Sequence, residues 1–419
     1  MPRLYALIDF NSFYVSCERL FEPKLRNRAV VVLSNNDGCV VSRSMEAKKL
    51  PVAMGVPLYQ VQHFVDAGHL IARSSNYTLY GDLSHRVMTT LASFGHPQEV
   101  YSIDECFLDL TSDVAPERTA VQMRWRVFHD VGIPTGVGLG WTKTLAKLAS
   151  KLAKDRTNGV FVMPPPGPAL AEVLRSIPVG DVWGIGRRIS ESLISWGVLT
   201  ALDLARFDPE RMRSTYGVVG ARIVQELRGE SCVSFNETLA QRKTITVSRS
   251  FGRDIAGLDE LLAAVCSFAE MAGERLRAQG LAAGKLRTWV EHNRFREDAP
   301  QCSGSCDMSF PIPTDLNPEL IGAASASLRR LWTPTGRWKK AGVLLGGLVL
   351  SSTRQESFLD VFDRPRLRSL MTALDAVNAR HGGGSLACAT RALSARWRPI
   401  AEHGSPRYTT RWDELPVVG

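Results

Sequence analysis

The run Pro164-Pro165-Pro166-Gly167-Pro168 constrains the fold more than any other part of the sequence. Proline fixes φ and lacks an amide donor, so neither a helix nor a central strand continues through such a run. We therefore predict a domain boundary there. The chain has 419 residues, enough for about two to four domains. Its 44% hydrophobic and 22% charged residues exclude the disordered and fibrous classes.

The residues before this boundary alternate between strand-like and helix-like patterns. Strands are predicted at Leu4–Ile8, Ala29–Leu33, Val100–Ile103, Cys106–Leu110 and Thr135–Leu139, and helices at Phe13–Leu20, Tyr77–Phe94, Gln122–Val131 and Lys143–Ala153. The order βαββαβ favours an α/β (α+β) domain with a ferredoxin-like sheet and helices on one face of it. Gly136, Gly138 and Gly140 alternate with apolar residues, which predicts close backbone packing on that strand.

The residues after the boundary divide into a helical part and a β-rich part. Ala169–Phe207 is predicted to be helical. From Thr244 the predicted strands Thr244–Val247 and Thr288–Val290 flank an amphipathic helix over Leu261–Leu276. Beyond Leu350 the pattern weakens.

Nothing in the sequence suggests export or a membrane. The longest apolar run, Ala341–Leu350, is shorter than the ~20 residues of a membrane span. The eight cysteines are sparse, and the near pair Cys302 and Cys306 lacks the second pair of a zinc site. We therefore expect a cytoplasmic protein with reduced thiols.

Three acidic residues are candidates for a metal site. Asp9 follows the first strand, and Asp104 and Glu105 lie between two short apolar runs. Carboxylates from neighbouring strands can hold two hard divalent ions that clamp the oxygens of an in-line displacement at phosphorus. Taken singly, such residues are most often solvated turn acids, and that reading stays open.

Two lysines could bind phosphate. Lys48 lies on a predicted helix over Met45–Leu50, and Lys154 ends the helix that begins near Lys143. A solvated helix face is the alternative for each of them. The sequence has neither a P-loop motif nor a strand-linked dinucleotide motif, so those two modes of phosphate binding are unsupported.

Two regions are candidates for binding DNA. Val182-Trp183-Gly184-Ile185-Gly186 precedes a helix, and its small glycines, Gly184 and Gly186, allow a backbone phosphate to approach the helix start. A plain turn between helices is the alternative. Residues 242–340 contain 15 Lys and Arg against 11 Asp and Glu, with Arg249 and Arg253 near the start. This basic segment and the net charge of +9 favour a polyanionic partner.

Several motifs resemble those of the Y-family translesion DNA polymerases. They are Ile8-Asp9-Phe10-Asn11-Ser12-Phe13-Tyr14, Tyr101-Ser102-Ile103-Asp104-Glu105 and Thr142-Lys143-Thr144-Leu145-Ala146-Lys147-Leu148-Ala149. Further stretches are similar to the UmuC branch, whose members are catalytic subunits of bacterial DNA polymerase V. These are Val32-Leu33-Ser34-Asn35-Asn36-Asp37-Gly38-Cys39-Val40, Asp181-Val182-Trp183-Gly184-Ile185-Gly186-Arg187-Arg188 and Ser405-Pro406-Arg407-Tyr408-Thr409-Thr410-Arg411. The resemblance covers essentially the whole chain.

The resemblance implies a right-hand polymerase. Its parts would be a ferredoxin-like palm (1–20 and 75–165), small fingers (21–74), a helix-hairpin-helix thumb (166–240), a β-rich little finger (242–345) and a UmuC-type tail (346–419).

The resemblance also implies roles for individual residues. Asp9, Asp104 and Glu105 would be catalytic and hold two Mg²⁺ ions, with the carbonyl of Phe10 completing one site. Phe13 and Tyr14 would contact the nucleotide, Tyr14 as a steric gate against a 2′-OH. The triphosphate would meet Ser42, Lys48 and Lys154.

The sequence departs from the family pattern at three positions. Met45 stands where many members have a nucleotide-contacting Tyr, and Lys48 where many have Arg. Lysine is a point charge without the bidentate fork of arginine, so the phosphate contact differs. Cys106 replaces a usual Ala, a small-for-small change.

The implied partners are primer-template DNA, deoxynucleoside triphosphates, a UmuD-like cleaved dimer, a RecA filament and the sliding clamp. Gln355-Glu356-Ser357-Phe358-Leu359 is a degenerate match to the clamp-binding peptide, because Glu356 replaces a usual Leu. Gln355, Phe358 and Leu359 would make the contact. A solvated linker is the alternative.

We therefore predict a template-directed polymerase that copies past damaged bases in an error-prone SOS-type response, by two-metal-ion nucleotidyl transfer. Two alternatives remain at this point. One is a non-catalytic DNA-binding subunit, which the intact acids disfavour. The other is a different palm-type nucleotidyl enzyme such as a cyclase, which the Gly184–Gly186 hairpin and the basic C-terminal half disfavour.

Overall fold

A computed structural model describes residues 3–235, 243–294, 303–353, 360, 363–390, 397 and 400–415. The chain forms two compact units. The first unit comprises Met1–Ala240 together with Glu402–Gly419, and the second comprises Gln241–Ala401. The predicted tail, residues 346–419, therefore contributes to both units.

The first unit combines eight strands with nine helices in the described residues. The strands are β1 (Tyr5–Phe10), β2 (Val30–Leu33), β3 (Val40–Arg43), β4 (Ile71–Ser74), β5 (Gln98–Val100), β6 (Glu105–Asp109), β7 (Thr135–Gly140) and β8 (Val160–Val162). The helices are α1 (Phe13–Phe21), α2 (Leu58–Asp66), α3 (Tyr77–Ala92), α4 (Pro116–Val131), α5 (Lys143–Ala153), α6 (Pro168–Arg175), α7 (Arg187–Ser195), α8 (Ala201–Arg206) and α9 (Pro209–Leu227).

A five-stranded sheet in the order β5-β6-β1-β7-β8 forms the centre of the first unit. Neighbouring strands are antiparallel except for the parallel pair β7 and β8. Without β8 this is the strand order that a ferredoxin-like βαββαβ unit requires, so the predicted topology is confirmed.

The prediction that helices cover only one face of this sheet is wrong. Helices α3 and α4 pack on the face that carries Ala6 and Ile8, whereas α5 packs on the opposite face, against Tyr5 and Leu7. The glycines of β7 make this possible. A Cβ at Gly138 would lie 2.0 Å from a backbone atom of α5, so only glycine lets the helix come so close.

A smaller sheet, in the order β3-β2-β4, packs with α2 around a core of its own. Between β2 and β3 the chain turns through Asn36 and Asp37, which both have positive φ, as the sequence predicts for residues that tolerate that conformation. The predicted helix over Met45–Leu50 is only a single 3₁₀ turn, Ala47–Lys49. Leu50 precedes Pro51 and is extended, because the residue before a proline avoids helical geometry.

Helices α6 to α9 form a separate helical core within the first unit. The predicted helical region Ala169–Phe207 is therefore broken into α6, α7 and α8, with the glycine-containing turn at 182–186 between the first two. Helix α9 lies beyond the predicted region.

The second unit is an antiparallel sheet covered by helices. In chain order its elements are β9 (Thr244–Ile255), α10 (Leu258–Arg277), β10 (Leu281–Glu291), β11 (Ser303–Thr314), α11 (Asn317–Leu331), β12 (Trp338–Leu350) and α12 (Arg364–His381). The sheet has the order β11-β10-β12-β9, and α10 and α11 pack against it. The predicted strands at 244–247 and 288–290 are parts of the longer β9 and β10.

The C-terminal segment, residues 402–415, packs on the first unit. The ring of Tyr408 stacks on that of Phe21 in α1, with a centroid distance of 4.5 Å, and joins the core below the five-stranded sheet. The amide of Ser74, at the end of β4, donates to the carbonyl of His403 over 3.0 Å.

In the ranges that the structure describes, no helix combines the length and the apolar character of a membrane span.

Candidate active site

One cavity of the first unit, here called the Asp9 cavity, gathers most of the predicted site. Its volume is about 420 Å³. The predicted residues that line it are Asp9, Phe10, Phe13, Tyr14, Ser42, Lys48, Asp104 and Lys154. The lining residues that were not predicted are Ser12, Val41, Arg43, Met54 and Tyr77. All predicted nucleotide contacts and all metal-ligand candidates except Glu105 therefore line the same cavity.

Strand pairing places the three acids at one end of the sheet. In the antiparallel pair β1 and β6, Asp9 lies opposite Glu105. Asp104 precedes β6 and accepts a hydrogen bond from the amide of Phe10 through its carbonyl, over 2.9 Å. Its carboxylate accepts from the hydroxyl of Ser102 over 2.7 Å. The register fixed by β1 and β6 thus determines the spacing of the acids.

Lys147 of α5 and Lys154, which directly follows this helix, neutralise two of these acids. Lys154 Nζ lies 2.9 Å from Asp9 Oδ1, and Lys147 Nζ lies 2.9 Å from Glu105 Oε2. The lysines are seven residues apart, two helical turns, and therefore share one face of α5. Lys147 also lies over the ring of Tyr101, 4.4 Å from its centroid. Lys147 was not predicted as a site residue, although it falls in the motif that starts at Thr142.

The donor set fits a hard divalent ion. Carboxylates and carbonyl oxygens are the ligands that Mg²⁺ prefers, and Asp9, Asp104 and Glu105 supply the carboxylates at one edge. Among the described residues, no group of three or more acidic, histidine or cysteine side chains is already gathered as metal ligands. Metal binding would therefore exchange the lysine contacts of Asp9 and Glu105 for contacts with the ion.

The cavity also has a strongly basic side, formed by Lys48, Lys154 and Arg43. Burial lowers the pKa of Lys48, and the nearby charges of Lys154 and Arg43 lower it further. Like charges held this close favour a polyanion that neutralises them. Arg43 was not predicted. Its guanidinium donates to the carbonyl of Val52, and no local sequence signal separates it from other surface arginines.

Aromatic side chains form a third wall. Tyr14 of α1 stacks on Tyr80 of α3, with a centroid distance of 4.6 Å and 16° between the rings. Tyr77 meets Tyr14 edge-on at 5.9 Å, and Phe13 lies 5.4 Å from Phe10. Burial raises the pKa of Tyr14, so its phenol is neutral at physiological pH. Tyr14 is thus both packed against α3 and open to the cavity.

The other two departures from the family pattern, Met45 and Cys106, have different surroundings. Met45 is 65% exposed, and its sulfur lies 3.6 Å from Lys48 Nζ. Cys106 is buried beneath the sheet, where burial raises the pKa of its thiol to about 12, and Gln98 donates to its sulfur. Cys106 therefore acts as a small packing residue.

The two glycines predicted to contact DNA differ in how strongly their surroundings require glycine. Gly184 has φ +88°, and a Cβ there would lie 2.8 Å from the side chain of Ile223. Gly186 precedes α7, and a Cβ there would meet no heavy atom within 4 Å in the described part of the chain. The first turn of α7 carries the exposed Arg187 and Arg188. An anion could therefore approach the free amides at this helix start.

The remaining predicted residues lie elsewhere. Arg249 and Arg253 are on β9 of the second unit, where Arg253 pairs with Glu260 at 2.6 Å. Gln355, Phe358 and Leu359 lie outside the described residues.

Comparison with known families matches three parts of the chain. Residues 8–151 match the impB/mucB/samB family, residues 242–358 match the C-terminal domain of that family, and residues 368–418 match a domain of unknown function, DUF4113.

Curated relatives match over nearly the whole chain. The chain is 40% identical to Protein SamB of Salmonella typhimurium over 422 residues, 99% of either chain. It is also 40% identical to Protein UmuC of Salmonella typhimurium strain LT2, over 98% of this chain and 99% of that protein. DNA polymerase IV of Moorella thermoacetica is 29% identical over 90% of this chain and 93% of its own.

A solved structure has a similar fold. A Y-family DNA polymerase chimera superimposes with a TM-score of 0.69 at 20% identity, covering 83% of this chain and 99% of that chain. This similarity confirms the predicted fold class.

Proposed function

The chain belongs to the impB/mucB/samB family, in the UmuC branch of the Y-family DNA polymerases, and on that premise we propose that the Asp9 cavity performs translesion DNA synthesis. The family assigns the activity of a DNA-directed DNA polymerase. One observation carries the assignment of the site: acids, cations and aromatic rings line the same cavity. These are the groups that a metal-bound nucleoside triphosphate requires.

Two Mg²⁺ ions fit the acidic side of the cavity. Asp9, Asp104 and Glu105, with the carbonyl of Phe10, would hold them. When bound, such ions lower the pKa of the attacking 3′-hydroxyl and stabilise charge on the leaving phosphate. The residues of the chain contribute by holding the two reacting oxygens in line, which removes much of the entropic cost of the displacement.

The basic side of the cavity binds the triphosphate. Lys48, Lys154 and Arg43 surround the position where negative charge must be accommodated. Ser42 adds a hydroxyl that can donate to a phosphate oxygen. Since Lys48 is a point charge, it compensates charge without imposing the fixed geometry of an arginine.

The aromatic side selects the sugar. Tyr14 lines the cavity together with Asp9, and Tyr80 supports its ring from below. A rigid ring beneath the sugar excludes a 2′-hydroxyl by overlap, so Tyr14 acts as the gate against ribonucleotides. Phe13 fixes the start of α1, which carries Tyr14.

Primer-template DNA is the macromolecular substrate. Gly184 and Gly186 with the start of α7 contact backbone phosphates, and Arg249 and Arg253 provide positive charge on the second unit. From the family we further propose a UmuD-like cleaved dimer, a RecA filament and the sliding clamp as partners. The setting would be an error-prone SOS-type response in the cytoplasm.

Primer extension tests this function against both alternatives. The full chain, with its cleaved UmuD-like dimer and a RecA filament, is given Mg²⁺, all four dNTPs and either an undamaged or a lesion-bearing template. We expect extension on both templates, including past the lesion. Binding of DNA without extension would identify a non-catalytic subunit, and nucleotide turnover without a template would identify a cyclase-like enzyme.

A further inference from the structure

The C-terminal segment contacts the beginning of α3. Asn76 is the N-cap of this helix, and its side-chain oxygen accepts from the amide of Leu79. Its side-chain nitrogen lies 3.0 Å from the hydroxyl oxygen of Ser405 and 2.9 Å from the carbonyl of Pro406. The cap of α3 is therefore joined to a segment that follows it by more than 300 residues.

The same serine also reaches α1. Glu18 is fully buried, and its Oε1 accepts from the Tyr80 hydroxyl over 2.6 Å and from the Ser405 hydroxyl over 3.0 Å. A hydroxyl can donate once and accept as well. Ser405 therefore joins Glu18 of α1 to Asn76 of α3.

Two further contacts fix the segment on either side of Ser405. On one side, the Ser74 amide donates to the His403 carbonyl, and the His403 amide donates to the Ser74 hydroxyl, each over 3.0 Å. On the other side, Tyr408 is only 7% exposed and stacks on Phe21 with 9° between the rings. The backbone of Tyr408 has φ +38°, an unfavourable value that the surrounding packing must hold.

Both joined helices carry the aromatic wall of the Asp9 cavity. Tyr14 is in α1 and Tyr80 in α3, and the two rings stack at 4.6 Å. Tyr77, which also lines the cavity, directly follows the cap residue Asn76. Any change in the position of α3 relative to α1 therefore moves the surface on which the sugar would rest.

We propose that the C-terminal segment is a positioning element for nucleotide selection. It fixes the start of α3 against α1 and thereby holds the Tyr14–Tyr80 pair in place. The proposal rests on the polymerase function proposed above, and it gives a role to part of the domain of unknown function matched at residues 368–418. Ser405 and Tyr408 are positioning residues, since neither is among the residues that line the cavity.

The test uses single-nucleotide insertion by the full chain with its accessory proteins. The variant carries Ser405→Ala and Tyr408→Ala. Because it loses contacts that hold the sugar-binding surface, we expect KM for dNTP to rise about tenfold and the preference for dNTP over rNTP to fall about tenfold, with kcat within about twofold of the parent. Backbone amides of Leu79 and Tyr80 should exchange hydrogen faster, whereas those of α5 should not change.

Three variants serve as controls. Trp412→Ala removes a large ring from the same segment, but one that is 91% exposed, so insertion should stay parent-like. Tyr408→Phe keeps the stack on Phe21 and should also remain parent-like. Ser405→Ala alone is a milder change that remains informative if the double variant does not fold, and it should shift KM in the same direction.

The outcomes separate this proposal from the proposed function. Parent-like KM, selectivity and exchange in the folded variants would overturn the positioning role. A fall in kcat and thermal stability with unchanged KM and selectivity would also overturn it, because that result describes a merely structural segment. If the parent itself inserts no nucleotide, the proposed function fails, and exchange at the start of α3 still decides whether the segment holds that helix.

Discussion

Lys154, the residue that directly follows α5, forms a 2.9 Å ion pair with Asp9 on β1. Both residues line the Asp9 cavity. The cation expected to meet the triphosphate is therefore paired with the acid expected to hold a metal ion. Arrival of nucleotide and metal together would replace one ion pair by two, Lys154 with phosphate and Asp9 with metal, so neither charge is left uncompensated.

Asp104→Ala should abolish nucleotide insertion. Asp104 lines the cavity together with Asp9, and its loss removes a proposed metal ligand but no contact expected to hold DNA. We expect insertion to fall by at least about 10³-fold, while primer-template affinity stays within about twofold. Glu105→Ala should behave in the same way. The control is Asp109→Asn, at the other end of the same strand. Near-normal extension by the Asp104 or Glu105 variant would contradict the mechanism.

Tyr14→Ala should weaken sugar discrimination. Removal of the ring opens space for a 2′-hydroxyl beneath the sugar, so ribonucleotide insertion should rise by about 10²-fold or more relative to deoxynucleotide insertion. Paired measurements with dNTP and rNTP provide the ratio. Tyr59→Ala removes an exposed tyrosine and should leave the ratio unchanged. An active Tyr14 variant with the parental ratio would show that another group is the gate.

Lys48→Ala should weaken nucleotide binding more than it slows chemistry. Lys48 lines the cavity near Lys154 and Arg43, so its removal takes one charge from the expected triphosphate site. We expect KM for dNTP to rise roughly tenfold, a loss of about 1.4 kcal/mol. The neighbouring Lys49 is not among the lining residues, which makes Lys49→Ala a matched control. Equal effects of both variants would indicate general charge rather than a phosphate contact.

Glu18→Gln should change the pH dependence of stability. Burial raises the pKa of Glu18, against the opposing hydrogen bonds of Tyr80 and Ser405 and the charge of Arg73. The folded chain thus holds this proton more tightly than the unfolded chain does. Glu18 therefore contributes most stability below its ordinary pKa near 4.5, and that contribution is lost as pH rises through the folded pKa.

Glutamine keeps the acceptor for Tyr80 and Ser405 but has no charge to bury. The variant should therefore melt at a higher temperature than the parent at pH 8, and the difference should shrink toward pH 5. Thermal unfolding across this range measures it, with Glu117→Gln as a control at an exposed acid. A difference that grows as the pH falls would mean that the Glu18 carboxylate stabilises the fold.

The clamp prediction concerns residues 355–359, outside the described part of the chain. A Phe358→Ala, Leu359→Ala double variant should bind the sliding clamp at least about tenfold more weakly, because apolar anchors supply most of such contacts. Ser357→Ala, in the same stretch, should bind normally. Unchanged affinity of the double variant would leave this stretch as a linker.

The sequence was most informative where local pattern and chemistry coincide. An apolar run that ends in Asp9, and two short runs that flank Asp104 and Glu105, predict strands with acids at their ends. Antiparallel pairing then brings Asp9 opposite Glu105. Periodicity reports which residues are buried but not which face of a sheet a helix covers, so the position of α5 was predicted wrongly. The close approach that Gly138 permits was the available signal.

Other elements had weaker local signals. The edge strand β11 (Ser303–Thr314) contains two prolines, a glycine and an aspartate, residue types that are depleted in strands, and it escaped prediction. Lys147 and Arg43 are single basic residues of a kind that is usually solvated. The docking of Ser405 on Asn76 depends on partners 329 positions apart, and no local pattern encodes such a contact.

That separation also has a consequence in time. At about 5 to 20 residues per second, roughly 15 to 65 s pass on the ribosome between the synthesis of Asn76 and that of Ser405. From the synthesis of Val162 onward, the five-stranded sheet and its acids are fully translated, while the segment that fixes α3 is not. A chain arrested within residues 241–401 would thus carry the catalytic acids without the contacts proposed to enforce sugar selection. On this proposal, completion of synthesis is the step that makes the nucleotide site selective.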